Sequence, residues 1–339
     1  MNVLVTGGAG YIGSHACLRL LNDGHAVSVL DNFVNGHQQA IDVLQGLAEP
    51  GRLTFCEGDL RERDKVAALL EDRSIEVVMH FAALAEVGQS MGDPLLYHDN
   101  NFVGSLSLLQ AMDRVGVRRL VFSSTCATYG EPDQTQIPIR ETCPQRPINP
   151  YGASKLHVER LLADYAGSVP EFAYAALRYF NVAGSDPEGR IGEDHRPESH
   201  LIPICLQAAL GKRDRMSIFG TDYPTPDGTC IRDYVHVVDL VDAHVHAMHA
   251  LEPGDQRHYN IGIGKGHSVR ECIDTAREVT GVDFEVVEAP RRPGDPPTLF
   301  ACCDRIQEEL GWTARYTDLT ETVSTAWNWF SAHPNGYED

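Results

Sequence analysis

A phenol and an amine stand four residues apart in the stretch Asn149-Pro-Tyr-Gly-Ala-Ser-Lys155. Pro150 suits the first position of a helix, because its ring fixes φ and the N–H it lacks would have no partner there. A helix starting at that point carries Tyr151 and Lys155 on one face, one turn apart. A phenol ordinarily ionises near pH ~10. A neighbouring ammonium, the positive end of the helix and a bound cation all favour the phenolate. Lowering the phenol by roughly three pH units takes about 4 kcal/mol of differential stabilisation. Two positive charges in a partly dry cleft can supply that much. Such a tyrosine could take a proton from an alcohol at neutral pH. Tyr-x-x-x-Lys also occurs on ordinary amphipathic helix faces, so the pair gains meaning only from its surroundings.

Those surroundings begin at the N-terminus. The apolar run Asn2-Val-Leu-Val5 leads into Thr6-Gly-Gly-Ala-Gly10-Tyr-Ile-Gly13, then an amphipathic stretch ending at Asn22-Asp-Gly24. That order reads as strand, glycine turn, helix and C-cap. Gly7, Gly10 and Gly13 allow a tight turn, close approach of backbone to a pyrophosphate, and close helix–strand packing. The next strand, Ala26-Val-Ser-Val-Leu30, ends in Asp31, eighteen residues beyond Gly13. A carboxylate there can accept hydrogen bonds from an adenosine ribose and would repel a 2′-phosphate. A strand, three glycines, a helix and an acid at that distance together form a specific signal.

Further strands and helices alternate. Leu53-Thr-Phe-Cys56 is followed by Asp59, Glu76-Val-Val-Met-His-Phe81 by Ala82 and Ala83, and Arg119-Leu-Val-Phe122 by Ser123-Ser-Thr125. Helices are predicted over 64–71 and 97–115, and a sixth strand over 172–179. The fold class is therefore α/β, a doubly wound parallel sheet of Rossmann type. Ligands of such sheets lie beyond the C-terminal strand ends. Gly10, Asp31, Asp59, Ala82, Thr125, Tyr151 and Asn181 all fall at or near such ends, which predicts a single site. Residues 1–180 are read as the dinucleotide-binding domain, with a returning helix near 236–250. Residues 181–339 are read as a smaller, interleaved substrate domain: a Gly/Pro/Asp-rich loop at 185–200, helices over 201–210, 268–280 and 319–330, and short strands at 217–219, 259–261 and 284–287.

Composition narrows the function classes. The 339 residues carry a formal net charge of −20, which argues against nucleic acid or an anionic membrane as partner. Any anionic ligand must be held by locally placed arginines and backbone amides. No apolar run approaches the ~18 residues of a membrane span, and the N-terminus does not read as a signal peptide. Nine scattered cysteines without a C-x-x-C read as reduced thiols of a cytoplasmic protein. His236, His244, His246, His249 and His258 crowd one region, but none aligns with a carboxylate in metal-ligand spacing, so no metal is expected. Cys126 reads as a small filler and Trp327 and Trp329 as helix packing.

Taken together, the glycine turn, Tyr151 and Lys155 resemble the extended short-chain dehydrogenase/reductase family. The likeness continues through Leu30-Asp-Asn32, Glu57-Gly-Asp59, His80-Phe-Ala82, Phe122-Ser-Ser124, Leu177-Arg-Tyr-Phe-Asn181, Gly228-Thr-x-x-Arg232-Asp-Tyr-x-His236 and Pro290-Arg-Arg-x-Gly-Asp295. The later motifs resemble the UDP-hexose 4-epimerase branch in particular. The resemblance implies a tightly held NAD and a UDP-sugar substrate, with UDP-galactose and UDP-glucose interconverted through a 4-keto intermediate. It implies Tyr151 as the base for the 4-hydroxyl, Lys155 as its activator and Thr125 as a hydrogen-bond partner of the 4-oxygen. The cofactor would be held by Gly7, Gly10, Tyr11, Ile12, Gly13, Asp31, Asn32, Asp59, Leu60, Phe81, Ala82, Ala83, Asn100 and Tyr179, besides Tyr151 and Lys155. Asn181, His200, Leu201, Phe219, Arg232, Arg292, Asp295 and Leu299 would hold the substrate, with guanidinium forks suited to a diphosphate. A homodimer is implied too, through helical faces at 97–115 and 158–165.

The chain departs from the family pattern at several places. Thr125 replaces serine, Ala85 stands where some relatives have a lysine near the cofactor, and His200 stands where others place asparagine. Leu299 stands where glucose-restricted members have tyrosine, which predicts some turnover of UDP-N-acetylglucosamine (and its galacto epimer, UDP-GalNAc) with UDP-galactose favoured. A nucleotide-sugar dehydratase would carry an Asp-Glu pair after the hydroxyl residue; here Cys126 and Ala127 follow Thr125. A 4-epimerase acting on a pentose, UDP-xylose or UDP-arabinose, reads the same from sequence. An NAD-sensing regulator tends to lose the Tyr–Lys pair, which is intact here.

Overall fold

The structure, a computed structural model, describes residues 1–292 and 295–338; the motif glycine Gly294 lies outside the described residues. The chain forms two compact units. The first takes residues 1–130, 144–178 and 241–259, and the second takes 131–143, 179–240 and 260–339.

Six parallel strands organise the first unit: β1 Asn2–Thr6, β2 Ala26–Asp31, β3 Leu53–Glu57, β4 Val77–His80, β5 Arg119–Ser123 and β6 Ala173–Tyr179. Their short apolar runs suit a sheet covered on both faces. A seventh strand, Gln256–Ile261, lies at the edge beside β6, giving the order Gln256–Ile261, β6, β5, β4, β1, β2, β3. Thr6 pairs with Leu30 on one side and with His80 on the other. The strand order therefore reverses between β1 and β4, where doubly wound sheets bind ligands. Helices Arg63–Asp72 and Gly104–Val115 pack together, and Val66, Leu70, Leu108 and Met112 join Leu4, Val78, Leu120 and Phe122 in one core cluster. Truncating one such leucine to alanine costs about 2–5 kcal/mol.

Two sequence expectations are corrected. The strand expected at 259–261 in the smaller domain begins at Gln256 and joins the main sheet. Tyr259, Asn260 and Ile261 are all buried, and a short buried run does not by itself choose its neighbour. The helix expected over 97–115 is interrupted: Pro94–Tyr97 and Gly104–Val115 are α-helical, and His98–Val103 between them is a π-helix. Such wide turns accommodate an inward-turned polar residue, and Asn101 is that residue here.

Small sheets carry the second unit. Asn181–Ala183 pairs parallel with Tyr234–His236. Ile231–Arg232 lies between His267–Ser268 and Thr298–Leu299. Met216–Phe219 pairs with Val286–Ala289. Strands of two to four residues leave little periodic signal, so most of these escape a sequence reading. Helices Leu201–Ala209, Val269–Thr280 and Leu319–Ala332 pack together behind them. The Val269–Thr280 helix starts with a full capping box, in which Ser268 accepts the Glu271 N–H and Glu271 accepts that of Ser268. Trp329 is buried against His333 and Tyr337. No helix among the described residues is long and apolar enough to cross a membrane.

Candidate active site

The glycine turn joins β1 to the helix Tyr11–Asn22, with Gly10 as N-cap. Gly7 has φ +72°, and a Cβ there would stand 2.6 Å from the Ala82 nitrogen; one on Gly13 would stand 2.0 Å from the Gly7 oxygen. Gly10 would meet only the Gly7 oxygen, at 3.5 Å. The turn is thus closed beneath and open above Gly10, next to the N–H groups that open the helix at Tyr11 and Ile12. Asp31 closes β2, its carboxylate accepting the Ala9 N–H at 3.0 Å and the Phe33 N–H at 2.8 Å. Burial raises its pKa against those two bonds. After β3, hydrogen bonds from Arg61 hold the Asp59 carboxyl down at about 2. Asn32 bonds the same carboxylate at 3.1 Å, and Leu60 is buried behind it. After β4, the Ala82 N–H donates to Thr6 O at 3.1 Å, Phe81 lies against the His244 ring, and Ala83 follows in the same turn. A phosphate-accepting helix end, an acid placed for a ribose and glycines that no side chain could replace fit a dinucleotide.

The helix carrying Tyr151 runs from Pro150 to Ser168, capped by the Asn149 side chain, which accepts the Gly152 N–H at 2.8 Å. Tyr151, Lys155 and Glu159, spaced by four, all face inward and are buried. Tyr151 packs with Leu84, Tyr97 and Ala127, its ring edge-on to Tyr97 at 6.4 Å. Lys155 is 3% exposed. Its Nζ donates to Ser123 O at 2.8 Å and lies 5.0 Å from the centre of the Phe122 ring. Burial lowers its pKa to about 7, so the charge on this amine is set by its neighbours rather than fixed. Thr125, two residues past β5, is buried. Its Oγ1 accepts the Ala127 N–H at 3.1 Å, which leaves the hydroxyl proton to donate.

Three buried residues missed from sequence hold this arrangement. Ser105 donates to Asn101 O, so the 2.8 Å contact between Ser105 Oγ and His80 Nε2 must have the imidazole as donor. Nδ1 of His80 then accepts from Thr6 Oγ1 at 2.7 Å. Burial lowers the His80 pKa to about 3, which keeps this tautomer neutral. Asn101 exchanges hydrogen bonds with Leu84 N and O at 2.8 and 3.0 Å and donates to Ser154 Oγ at 3.0 Å. The expected cofactor residue Asn100 donates to Asn101 Oδ1 at 3.0 Å. One chain of bonds therefore runs from the glycine turn to the residue before Lys155. A buried pair supports the other side: Glu159 takes Arg178 Nε at 3.0 Å and also accepts from Ser124. A lone histidine or asparagine in a strand or helix carries no sequence signal of such a role.

In the second unit, Arg232 donates through Nη1 to Ile231 O at 2.9 Å and places Nη2 3.4 Å from Asp295. Leu299 is its register partner. The Arg292 guanidinium lies 3.9 Å from the centre of the Phe219 ring. Asn181 begins a strand beside Tyr234, its N–H donating to Asp233 O at 3.0 Å, and Tyr179 closes β6 just before it. The structure thus joins Arg232 with Asp295 and Leu299, and Arg292 with Phe219. Asp233, also missed, is fully buried and accepts the N–H groups of Ile263, Gly264 and Ala301. Burial raises its pKa to about 6 despite those bonds.

His200 caps the helix that Leu201 opens and sits among Glu193, His195 and Glu198, a group that spacing did not flag. Burial would lower the His195 imidazole, but hydrogen bonds to Glu193 and Glu198 push it up to about 9. The crowded histidines do other work: His236 stacks on Tyr316 and bonds Thr325 Oγ1 at 2.8 Å, and His246 lies beside Asp242.

A parallel sheet reversing at β1, a glycine turn at that reversal and a buried Tyr-x-x-x-Lys helix define a nicotinamide-dinucleotide protein of the short-chain dehydrogenase/reductase kind. More narrowly, the chain belongs to the NAD dependent epimerase/dehydratase family, which matches residues 3–262. It is 47% identical to a UDP-glucose 4-epimerase of Lacticaseibacillus casei, over 100% of this chain and 99% of that protein. It is 49% identical to a probable UDP-arabinose 4-epimerase of Oryza sativa subsp. japonica, over 99% of this chain and 84% of that protein. A crystal structure of UDP-glucose-4-epimerase from Stenotrophomonas maltophila, with bound NAD and formylated UDP-arabinopyranose, superposes with TM-score 0.93 at 42% identity, covering 99% of each chain.

Proposed function

We propose that the chain is an NAD-dependent UDP-glucose 4-epimerase, interconverting UDP-galactose and UDP-glucose by reversible oxidation at C4 of the sugar. The observation that carries this reading is the buried Tyr151–Lys155 face, with Lys155 held on Ser123 O at the end of β5, in a chain that matches the epimerase/dehydratase family over residues 3–262. NAD would rest on Gly7, Gly10 and Gly13, with Tyr11, Ile12, Asp31, Asn32, Asp59, Leu60, Phe81, Ala82, Ala83, Asn100 and Tyr179 around it. Bound there, NAD would supply a reversible hydride acceptor for C4 of the sugar. Tyr151 takes the proton of the 4-hydroxyl and later gives it back. Lys155, near its ionisation midpoint, favours the phenolate whenever it holds its proton. Thr125, whose Oγ1 accepts the Ala127 N–H, keeps its hydroxyl proton to donate to the 4-oxygen. Arg232 and Arg292 supply guanidinium groups to the diphosphate on a chain whose net charge is otherwise −20. Asn181, His200, Leu201, Phe219, Asp295 and Leu299 complete the nucleotide-sugar contacts.

The deciding experiment incubates the protein with UDP-galactose and no added cofactor. UDP-glucose formed, with NAD released on denaturation, supports the cycle. Dependence on added NAD with net NADH accumulation would make the protein a dehydrogenase instead. A second reading, a UDP-arabinose/UDP-xylose 4-epimerase, is favoured by the relative named for UDP-arabinose at 49% identity. Comparing kcat/KM for the pentose and hexose nucleotides separates the two. Val87, Met91, Leu95 and Val103 leave apolar surface exposed, Leu95 being 79% exposed. A second copy of the chain would cover it, which supports a homodimer. Nine free cysteines support a reducing, cytoplasmic setting.

A further inference from the structure

Between Ile191 and the helix Leu201–Ala209 the chain turns four ligating side chains toward one point. Glu193 and His195 face inward, while Asp194 between them turns away and accepts the Tyr337 N–H at 3.0 Å. Glu198 and His200 come from the following residues. Oε1 of Glu193 stands 3.1 Å from Nδ1 of His195 and 3.1 Å from Nδ1 of His200. Glu198 reaches His200 Nδ1 at 2.9 Å and His195 Nδ1 at 3.7 Å through its two oxygens. All the donor atoms lie within 4.8 Å of one another. A four-coordinate zinc ion with bonds of about 2.0–2.2 Å has donor–donor edges of roughly 3.3–3.6 Å. The separations found here bracket that value.

Charge points the same way. Glu193 and Glu198 are 3% and 7% exposed, and two carboxylates side by side in a dry place need compensation. Protonated imidazoles supply it when no ion is bound, and one divalent ion held by all four side chains supplies the same two positive charges in their place. The surroundings are those of a prepared site. Glu198 Oε1 is oriented by the N–H groups of Ser199 at 2.8 Å and His200 at 2.7 Å, and Glu198 O is held by Arg213 at 2.9 Å. Gly192 N–H is anchored on Tyr337 Oη at 3.1 Å. His195 and His200 are the partly exposed members, which gives an ion its way in.

We propose that Glu193, His195, Glu198 and His200 form a closed, four-ligand site for one zinc-like divalent ion, structural rather than catalytic. Mixed imidazole and carboxylate donors at this spacing suit Zn²⁺ and its spectroscopic substitute Co²⁺ better than the oxygen-seeking Mg²⁺ or Ca²⁺. The ion would fix His200 through Nδ1 and leave Nε2 facing the other way.

The test uses the full chain with its resident cofactor, stripped of adventitious metal by a chelator and free of any affinity tag. Titration with CoCl₂ should give one equivalent of four-coordinate cobalt, seen as visible d–d bands, and ZnCl₂ should displace it. His195→Ala should weaken binding on the order of 100-fold, and ZnCl₂ should raise the thermal midpoint of the parent protein but not of the variant. Glu193→Gln carries the same test should His195→Ala not fold. Absence of stoichiometric binding at micromolar metal would overturn the proposal and leave protonated imidazoles as the counter-charges. Parent-like affinity in both variants, or a thiolate-to-cobalt charge-transfer band, would overturn it equally by placing the ion elsewhere.

Discussion

Replacing Lys155 with methionine should make the protein more stable at neutral pH while removing its activity. The amine is 3% exposed and its ordinary pKa of 10.5 falls to about 7 through burial. At about 1.36 kcal/mol per pH unit, holding the proton in the folded state costs roughly 5 kcal/mol well below pH 7 and roughly 4 kcal/mol at pH 7. A lysine whose folded pKa is depressed binds fewer protons folded than unfolded between the two values. Its contribution therefore improves as pH rises from about 7 to 10.5, and the cost shrinks to roughly 1 kcal/mol at pH 9.5. Methionine fills the same space without charge but leaves Ser123 O short of one donor, a loss of about 1 kcal/mol. The cofactor-free Lys155→Met protein should thus exceed the parent by roughly 3 kcal/mol at pH 7 and match it near pH 9.5. Urea unfolding at both pH values measures the difference, and differencing cancels the titration of the rest of the chain. An equal difference at the two pH values, or a parent more stable at pH 7, would refute the reasoning. It would mean that the amine keeps its proton by a compensation the burial argument lacks.

Tyr151→Phe should lower kcat by 10²–10⁴-fold, the usual worth of a positioned acid–base group, with NAD still recovered on denaturation. Thr125→Val should cost activity on the order of 10-fold while Thr125→Ser restores it, measured as kcat on UDP-galactose; equal rates for both variants would remove the hydroxyl from the reaction. Asn101→Ala breaks three buried hydrogen bonds and should destabilise by about 2–4 kcal/mol, read by thermal unfolding. Arg178→Met leaves Glu159 buried without its ion partner and should cost about 3–5 kcal/mol, whereas an unchanged midpoint would show that carboxylate to be neutral. Leu299→Tyr should reduce kcat/KM for UDP-N-acetylglucosamine more than for UDP-glucose.

Much of the first unit was legible because its signals are local. Pro150 after Asn149 fixes where the helix begins, and the spacing of Tyr151 and Lys155 then sets their common face. Gly7 and Gly13 are legible because no side chain fits there. Asp31 follows from strand length. What stayed hidden depends on partners distant in the chain. Nothing near Gln256 says that it will line up beside β6, and nothing near His80 says that Thr6 and Ser105 will fix its tautomer. Asn100 and Asn101 are adjacent, and only the wide π-turn decides which one faces inward. The strands around Arg232 are too short for alternation to speak. The Glu193–His200 group stayed hidden for a related reason: its spacing is that of a loop rather than one turn of helix, so no periodic rule collects it. Lys155 differs again, since its place was readable but its proton affinity follows from burial, which no motif encodes.

The edge strand Gln256–Ile261 has a consequence for synthesis on the ribosome. The sheet that carries the glycine turn lacks its last member until residue 261 has left the exit tunnel. Until then β6 presents an open rim of backbone donors and acceptors, the kind of edge on which nascent chains pair wrongly. Maturation of the nucleotide-binding half is therefore late, and a translational pause while residue 261 is still inside the exit tunnel would be expected to lower yield more than one placed after it has emerged.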